Sequence, residues 1–311
     1  MTGKAKVQPG SRAVLEPLLQ LAEQLRTDLP GWRDAPVSIA RPAAPSDLAL
    51  DLRHLSRHDA DGLLVASIGD EVLGFVACYM RSRQLNVGQP WLLPEHENGP
   101  VAELLVRRAL QYGERFGAAD AVAHLLGGAA YHALLFHFGL RPRFPVYRLT
   151  LPAERARVVG QRLLSLMPGS EQTHAALEKR AATADLDRLD RLARGVTRTV
   201  DQEYWLAERS LRLATVRDGK RIAAYAYGGS GQCGPVAATT PDAGLAALGW
   251  ALEFASESGP HDVTVLAPAT FEAAVDQLLD AGARCQATSV WMTRHPGSTL
   301  ERFILPSATI A

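Results

Sequence analysis

Few residues of this chain are spaced to do chemistry by local pattern alone. Gly229-Ser230-Gly231-Gln232-Cys233-Gly234 fits the letters of a dinucleotide-binding loop. Such a loop needs a helix to open at once, because the helix N-terminus holds the pyrophosphate. Pro235-Val236-Ala237-Ala238 reads instead as a strand, so the glycines read as a hairpin loop. His132 and His137 lie five apart on an expected helix and share no face. No H-E-x-x-H occurs, and no metal site is expected. No G-x-S-x-G elbow occurs, and Ser170, Ser230 and Ser298 lack a strand-turn-helix setting. Arg191, Arg194, Arg198 and Asp201 form the densest polar group of the middle region. It reads either as a solvated face with an ion pair or as a cleft for an anionic ligand.

Composition narrows the classes further. The chain has 311 residues, 33 basic and 33 acidic, with 47% hydrophobic residues. That suits about two globular domains. A neutral balance argues against nucleic-acid binding, which needs surplus Lys and Arg. No apolar run is long enough for a membrane span, and the N-terminus has no signal-type segment. Cys78, Cys233 and Cys285 form no close pair, which excludes a disulfide framework and a cysteine-rich zinc site. The cytoplasm is the expected compartment.

The elements that must position any site follow from periodicity. Residues 13–28 read as an amphipathic helix, and Val37-Ser38-Ile39 as a short strand breaking into a Pro-rich turn. A helix after Asp47 and a hairpin around Gly69-Asp70-Glu71 follow. Trp91-Leu92-Leu93 is a short apolar strand ended by Pro94. Val101, Leu104, Leu105, Ala109, Tyr112 and Phe116 share one side of the next helix, and Gly117 stops it. A strand from Ala121, a helix ending at Gly139 and a strand from Val146 to Leu151 close a first unit.

The same order then recurs. A hairpin turns at Arg217-Asp218-Gly219-Lys220, a helix follows Asp242, and a strand covers Asp262 to Leu266. A helix stops at Gly282, and Ser289-Val290-Trp291-Met292 reads as the last core strand. A period of about 145 residues suits two domains and not a solenoid. The expected boundaries are 1–152, a linker over 153–184, and 185–311. The apolar tail Phe303-Ile304-Leu305-Pro306 is expected to pack on the body.

This order resembles the GNAT acetyltransferase superfamily in a tandem arrangement, an α/β (α+β) fold. Each domain is then a mixed, mostly antiparallel sheet flanked by helices. The first copy carries the resemblance in I-G-D-E-V-L-G-F-V-A, in W-L-L-P-E-H-E-N-G-P-V-A-E-L-L-V-R-R-A-L and in A-L-L-F-H-F-G-L-R-P. The second carries it in I-A-A-Y-A-Y, C-G-P-V-A-A-T-T-P and F-E-A-A-V-D-Q-L-L-D-A-G-A. The resemblance implies acyl transfer from acetyl-CoA, or a related acyl-CoA, to an amine of a small molecule. In such folds the unpaired N–H groups of a helix start face the coenzyme A diphosphate. A splayed strand offers its main chain to the pantetheine arm.

By that resemblance the first-copy cofactor residues are Leu92, Leu93, Asn98, Gly99, Val101 and Ala102. Gly244, Leu245 and Ala246 hold the weaker second-copy positions. The usual loop is Gln or Arg, two residues, Gly, one residue, then Gly or Ala. Aligning Leu105-Val106 with its helix places Glu97 at the Gln/Arg position and Pro100 at the central glycine. Pro100 removes a donor, and Glu97 sets negative charge beside a dianion. Asn98-Gly99-Pro100 reads equally as an ordinary capped helix start. In the second copy Pro241 occupies the Gln/Arg position. The tyrosine that often protonates the leaving thiolate is replaced by Leu135 and Leu278. Tyr131 and His132, one turn earlier, and Glu95 and His96, near the splayed strand, are the catalytic candidates. The first copy is the expected cofactor site; the second is expected to be structural or to complete the acceptor pocket. The alternative is a catalytically silent GNAT-like scaffold that binds a ligand or partner. A monomer or homodimer is expected.

Overall fold

The computed structural model describes residues 4–10, 15–26, 47–125, 129–165, 176–177, 183–257, 262–307 and 309–310. The expected strand at Val37-Ser38-Ile39 lies outside them, as do the ends of the first helix. In chain order the first elements are β1 (Lys6–Pro9), α1 (Leu15–Arg26), α2 (Asp47–His58), β2 (Leu63–Ile68), β3 (Glu71–Arg81) and β4 (Gln84–Val87). Then come β5 (Trp91–Leu92), α3 (Pro100–Arg115), β6 (Asp120–Leu125), α4 (Ala129–His137), β7 (Arg141–Leu151) and α5 (Ala153–Ser165). After β8 (Ala176–Leu177) follow α6 (Thr183–Arg194), α7 (Thr199–Ala207), β9 (Arg212–Asp218), β10 (Arg221–Gly229) and β11 (Gln232–Ala238). The chain ends with α8 (Pro241–Glu257), β12 (Val263–Pro268), α9 (Glu272–Asp280), β13 (Arg284–Thr293) and β14 (Phe303–Ile304).

These elements form two compact units. Unit 1 comprises Met1–Arg143, Ala287–Pro296 and Thr309–Ala311; unit 2 comprises Phe144–Gln286 and Gly297–Ala308. These bounds differ from the contiguous halves expected above. The strand expected to close the first half, β7, pairs antiparallel with β12 over Val146–Leu151 and so belongs to unit 2. The strand expected to end the second half, β13, pairs with β6 through Val290↔Leu125 to Thr293↔Val122 and belongs to unit 1. Each unit therefore takes its closing strand from the other half of the sequence. The edges of β6 and β12 are equivalent, so local sequence does not say which one a strand joins.

In unit 1 the strand order is β1-β2-β3-β4-β6-β13, with β4 parallel to β6 and the other pairs antiparallel. α3 lays Val101, Leu105, Val106, Ala109 and Leu110 on Leu64, Ala66, Leu73, Val76 and Cys78 of the hairpin. A buried carboxylate ties this layer together. Asp59 accepts hydrogen bonds from Met80 N (2.9 Å), Arg81 Nη1 (2.9 Å) and the Tyr112 hydroxyl (3.2 Å). Every donor here has a fixed partner, which marks a structural network.

In unit 2 the order is β8-β9-β10-β11-β12-β7, with β11 parallel to β12. α8 buries Ala243, Ala247, Ala251 and Ala255 on Ala224 and Ala226 of β10. The expected linker begins with the 13-residue helix α5 of this unit. The apolar stripe Ala156, Val159, Gly160 and Leu163 of α5 faces α8. The two helices meet at glycines: a Cβ on Gly160 would stand 2.9 Å from the Gly249 oxygen, and the reverse 3.0 Å.

The repeat is also visible in how two helices end. After α4, Leu140 N donates to Leu135 O at 3.0 Å, with Gly139 at φ +90°. After α9, Ala283 N donates to Leu278 O at 3.0 Å, with Gly282 at φ +81°. Both are Schellman-type stops, which need a left-handed residue that glycine supplies without strain.

Candidate functional site

In unit 1 the parallel pair β4/β6 runs from Gln84↔Asp120 to Val87↔Ala123 and stops. Beyond that point the chain after β4 stays on β3. Gly88 N donates to Ala77 O at 2.9 Å, β5 pairs Trp91↔Phe75 and Leu92↔Gly74, and Leu93 N donates to Leu73 O at 3.0 Å. Strand β6 runs on to Leu125, paired along its other edge with β13. Among the described residues no strand is inserted between β5 and the end of β6. Gly74 makes the β5 approach possible, since a Cβ there would stand 2.3 Å from the Trp91 oxygen. Trp91 in turn stacks on Phe75, with ring centroids 6.5 Å apart.

The chain then turns through Pro94–His96 into α3, whose N-cap is Gly99. Gly99 has no side chain to cap this helix start, and a Cβ on it would meet nothing within 4 Å among the described residues. The first N–H groups of a helix have no partner within it. Pro100 has none to offer, so Val101 and Ala102 supply them. The expected cofactor residues therefore differ in setting. Leu92 is buried in the core, Leu93 and Gly99 are half-buried, Asn98 is exposed, and the side chains of Val101 and Ala102 point into the core.

Of the catalytic candidates, Glu95 is exposed and His96 half-buried on the turn. Tyr131 is buried on α4, on the face that also carries Leu135. Burial, and then the nearby Glu97 carboxylate, push the Tyr131 hydroxyl well above its ordinary pKa. No hydrogen bond of good geometry reaches that oxygen. The structure thus brings Tyr131 together with Glu97, the residue at the start of the loop. His132 Nε2 is buried without a partner, and burial lowers its pKa. Leu135 and Leu278 are 1% and 0% exposed and serve packing.

One polar pair escaped the sequence reading. His124 follows the last β4/β6 pair on β6, and its Nε2 shares a 2.6 Å hydrogen bond with Ser289 Oγ of β13. Both are 3% exposed. Ala123 and Leu125 face α3, so His124 faces the opposite side of the sheet, beside Trp291 at 6.2 Å. The signal was hidden because Ser289 lies 165 positions away in sequence.

Unit 2 shows the same divergence with a different filling. β11 and β12 pair in parallel at Gln232↔Thr264 and Cys233↔Val265 only. Beyond them β14 lies on β11 through Val236↔Ile304 and Ala237↔Phe303. The start of α8 is capped by its own side chain, since Ala243 N donates to Thr240 Oγ1 at 3.2 Å. Gly244 is buried, and a Cβ there would stand 2.9 Å from the Phe271 ring. Leu245 is half-buried and Ala246 buried in the same core.

The remaining sequence motifs resolve simply. Residues 229–234 form a hairpin loop, with Gly229↔Gln232 paired and strand following. Cys78 and Cys233 are buried, and burial pushes both thiols far up; Cys285 is exposed. Arg191 is exposed, but Arg194, Arg198 and Asp201 are buried, which corrects the solvated-face reading for those three. Arg198 meets Asp190, not a ligand cleft. Among the described residues no group of three His, Cys, Asp or Glu could hold a metal, and no helix is long and apolar enough to cross a membrane.

No protein-family model matches the chain, and no curated protein matches it. Solved structures do. A Pyrococcus horikoshii protein, described provisionally as an acetyltransferase, superposes with a TM-score of 0.71 at 14% identity, covering 100% of this chain and 97% of its own. A GCN5-related N-acetyltransferase from Sphaerobacter thermophilus gives 0.57 at 16%, covering 98% of both chains. One from Kribbella flavida gives 0.54 at 16%, covering 94% of this chain and 71% of its own. At such identities the likeness speaks for architecture. The chain has the fold of the GCN5-related N-acetyltransferases.

Proposed function

We propose that unit 1 is an acyl-CoA-dependent N-acyltransferase acting on an amine of a small molecule, with acetyl-CoA as the acyl donor. The observation that carries this reading is the parting of β4/β5 from β6 at Val87 and Ala123, which leads directly to an open, uncapped helix start at Gly99. The residues present fit the donor with two mismatches, at Pro100, which has no N–H to give, and at Glu97. The N–H groups of Val101 and Ala102 and the dipole of α3 favour a diphosphate. The Glu97 carboxylate opposes it. The main chain at Trp91–Leu92 would accompany the pantetheine arm.

The donor supplies an activated thioester carbonyl. An amine can attack it only as the free base, so the site must take up a proton and return one to the leaving thiolate. His124, held by Ser289 where the strands part, is the group we assign to proton uptake. Tyr131 keeps its proton at physiological pH, because burial and Glu97 raise its pKa. In this reading it packs with the start of α3, and it is too weak an acid to serve the thiolate readily. No other side chain is assigned to that step.

A second reading, a silent scaffold that binds a ligand or partner, is favoured by one specific observation. Leu135, at the family's tyrosine position, is fully packed. Calorimetry with acetyl-CoA, followed by thioester-cleavage assays over an amine panel, separates the two. Binding with turnover supports the transferase; binding without turnover on any amine supports the scaffold. No binding at millimolar acetyl-CoA removes the transferase reading.

A further inference from the structure

The divergence of β11 from β12 in unit 2 is occupied by the chain itself. β14 bonds to β11 at Val236 and Ala237, and the next residue, Leu305, donates its N–H to Leu266 O of β12 at 3.1 Å. One segment therefore bridges both parted strands. We infer that residues 299–306 are the built-in occupant of the second acyl-CoA slot, so that no acyl-CoA enters unit 2. This rests on the reading of the strand divergence as the slot for the pantetheine arm.

The fit is that of a fixed part. Phe303, Ile304 and Leu305 are all 0% exposed. The tail backbone lies against β11 at Gly234, where a Cβ would stand 2.6 Å from the Leu305 oxygen. Arg302 Nη1 donates to Thr239 O at 2.8 Å, and its Nη2 to Leu192 O at 3.2 Å. Gln232 Nε2 donates to Pro306 O, and Thr270 Oγ1 to Thr299 O. The Phe303 ring lies 4.8 Å from the Arg198 guanidinium, which also stacks on Trp205 at 4.6 Å. The diphosphate end is closed independently by the Thr240 cap of α8 and by Phe271 over Gly244.

Entry of a pantetheine arm would require these backbone bonds to open and three apolar side chains to return to water. A tethered segment also competes at a high effective concentration. In unit 1 no strand of the described residues takes the corresponding place beside Trp91–Leu92.

Amide hydrogen exchange on the full chain, with and without millimolar acetyl-CoA, tests this together with calorimetric stoichiometry. The amides of 303–305 are expected to exchange about a hundredfold or more slowly than in an unstructured peptide. Acetyl-CoA is expected to leave that protection unchanged and to bind at one per chain. Fast exchange of the free tail, deprotection by acetyl-CoA, or two sites per chain would each overturn the inference. No heat, with the tail still protected, would remove the acyl-CoA reading of unit 1 and leave the filled slot standing. Phe303→Ala supplies a second check. It is expected to speed exchange at 303–305 without changing acetyl-CoA affinity, and a loss of that affinity would overturn the inference. Should this variant fail to fold, the wild-type measurements still decide.

Discussion

Arg198 and Asp190 form an ion pair in the core of unit 2, both side chains 0% exposed, with Nη2 2.8 Å from Oδ1. Burial, the largest single influence, would lower the Arg198 pKa, but Asp190, Tyr225 and Asp201 together raise it. Gln202 Nε2 donates to the same carboxylate at 2.9 Å, and the Tyr225 hydroxyl donates to it as well. Removing one member strands the other charge in a medium that solvates it poorly. Asp190→Asn is therefore expected to destabilise unit 2 by about 3–5 kcal/mol. Urea denaturation checks this, and a loss below about 1 kcal/mol would show that the pair is not the anchor argued here.

Gly74→Ala places a methyl 2.3 Å from the Trp91 oxygen and 2.9 Å from the Leu92 Cα. Backbone on β5 must move away, and strained packing of this kind costs about 1–3 kcal/mol. The expected result is a lower thermal midpoint together with weaker acetyl-CoA binding. An unchanged midpoint would mean that β5 is not seated as described.

Glu97→Gln removes the charge facing the diphosphate position. If α3 holds that group, acetyl-CoA affinity should rise by about 1 kcal/mol, or about fivefold. The gain should shrink with added salt. Unaltered affinity at low salt would place the diphosphate elsewhere.

His124→Asn removes the assigned proton acceptor while retaining a polar side chain beside Ser289. Turnover on any accepted amine should fall about 10²–10⁴-fold. The alkaline shift of the remaining pH–rate profile, with acetyl-CoA affinity unchanged, distinguishes this role from simple destabilisation. A wild-type profile with wild-type turnover would remove His124 from the mechanism.

Burial lowers the His132 pKa below its ordinary 6.5. The unfolded imidazole then binds a proton at higher pH than the folded one. His132 thus permits full stability above pH 6.5, and stability is lost as pH falls from there toward the folded value. His132→Gln should lessen the acid sensitivity of the urea midpoint below about pH 6.5. Equal sensitivity in both proteins would contradict the burial of Nε2.

Much of this molecule can be read from short stretches of chain. The hairpin at Gly69-Asp70, the stripe Val101-Leu105-Ala109 of α3, and the glycine stops at Gly139 and Gly282 arise from interactions a few residues apart. Periodicity, turn chemistry and capping act over that range, so the amino-acid sequence by itself determined these elements and the order in which they recur, whereas the strands β1 and β4 were not read from it.

Long-range pairing lay beyond it. The ladder edges of β6 and β12 offer equivalent partners, so only the tertiary structure decided that β13 joins the first and β7 the second. That choice brings Ser289 to His124. It is likewise the fold that sends the apolar tail, whose burial its composition foretold, between β11 and β12 and not onto an outer face. A strand's neighbour is set by backbone groups common to every residue, and those carry no label in the sequence.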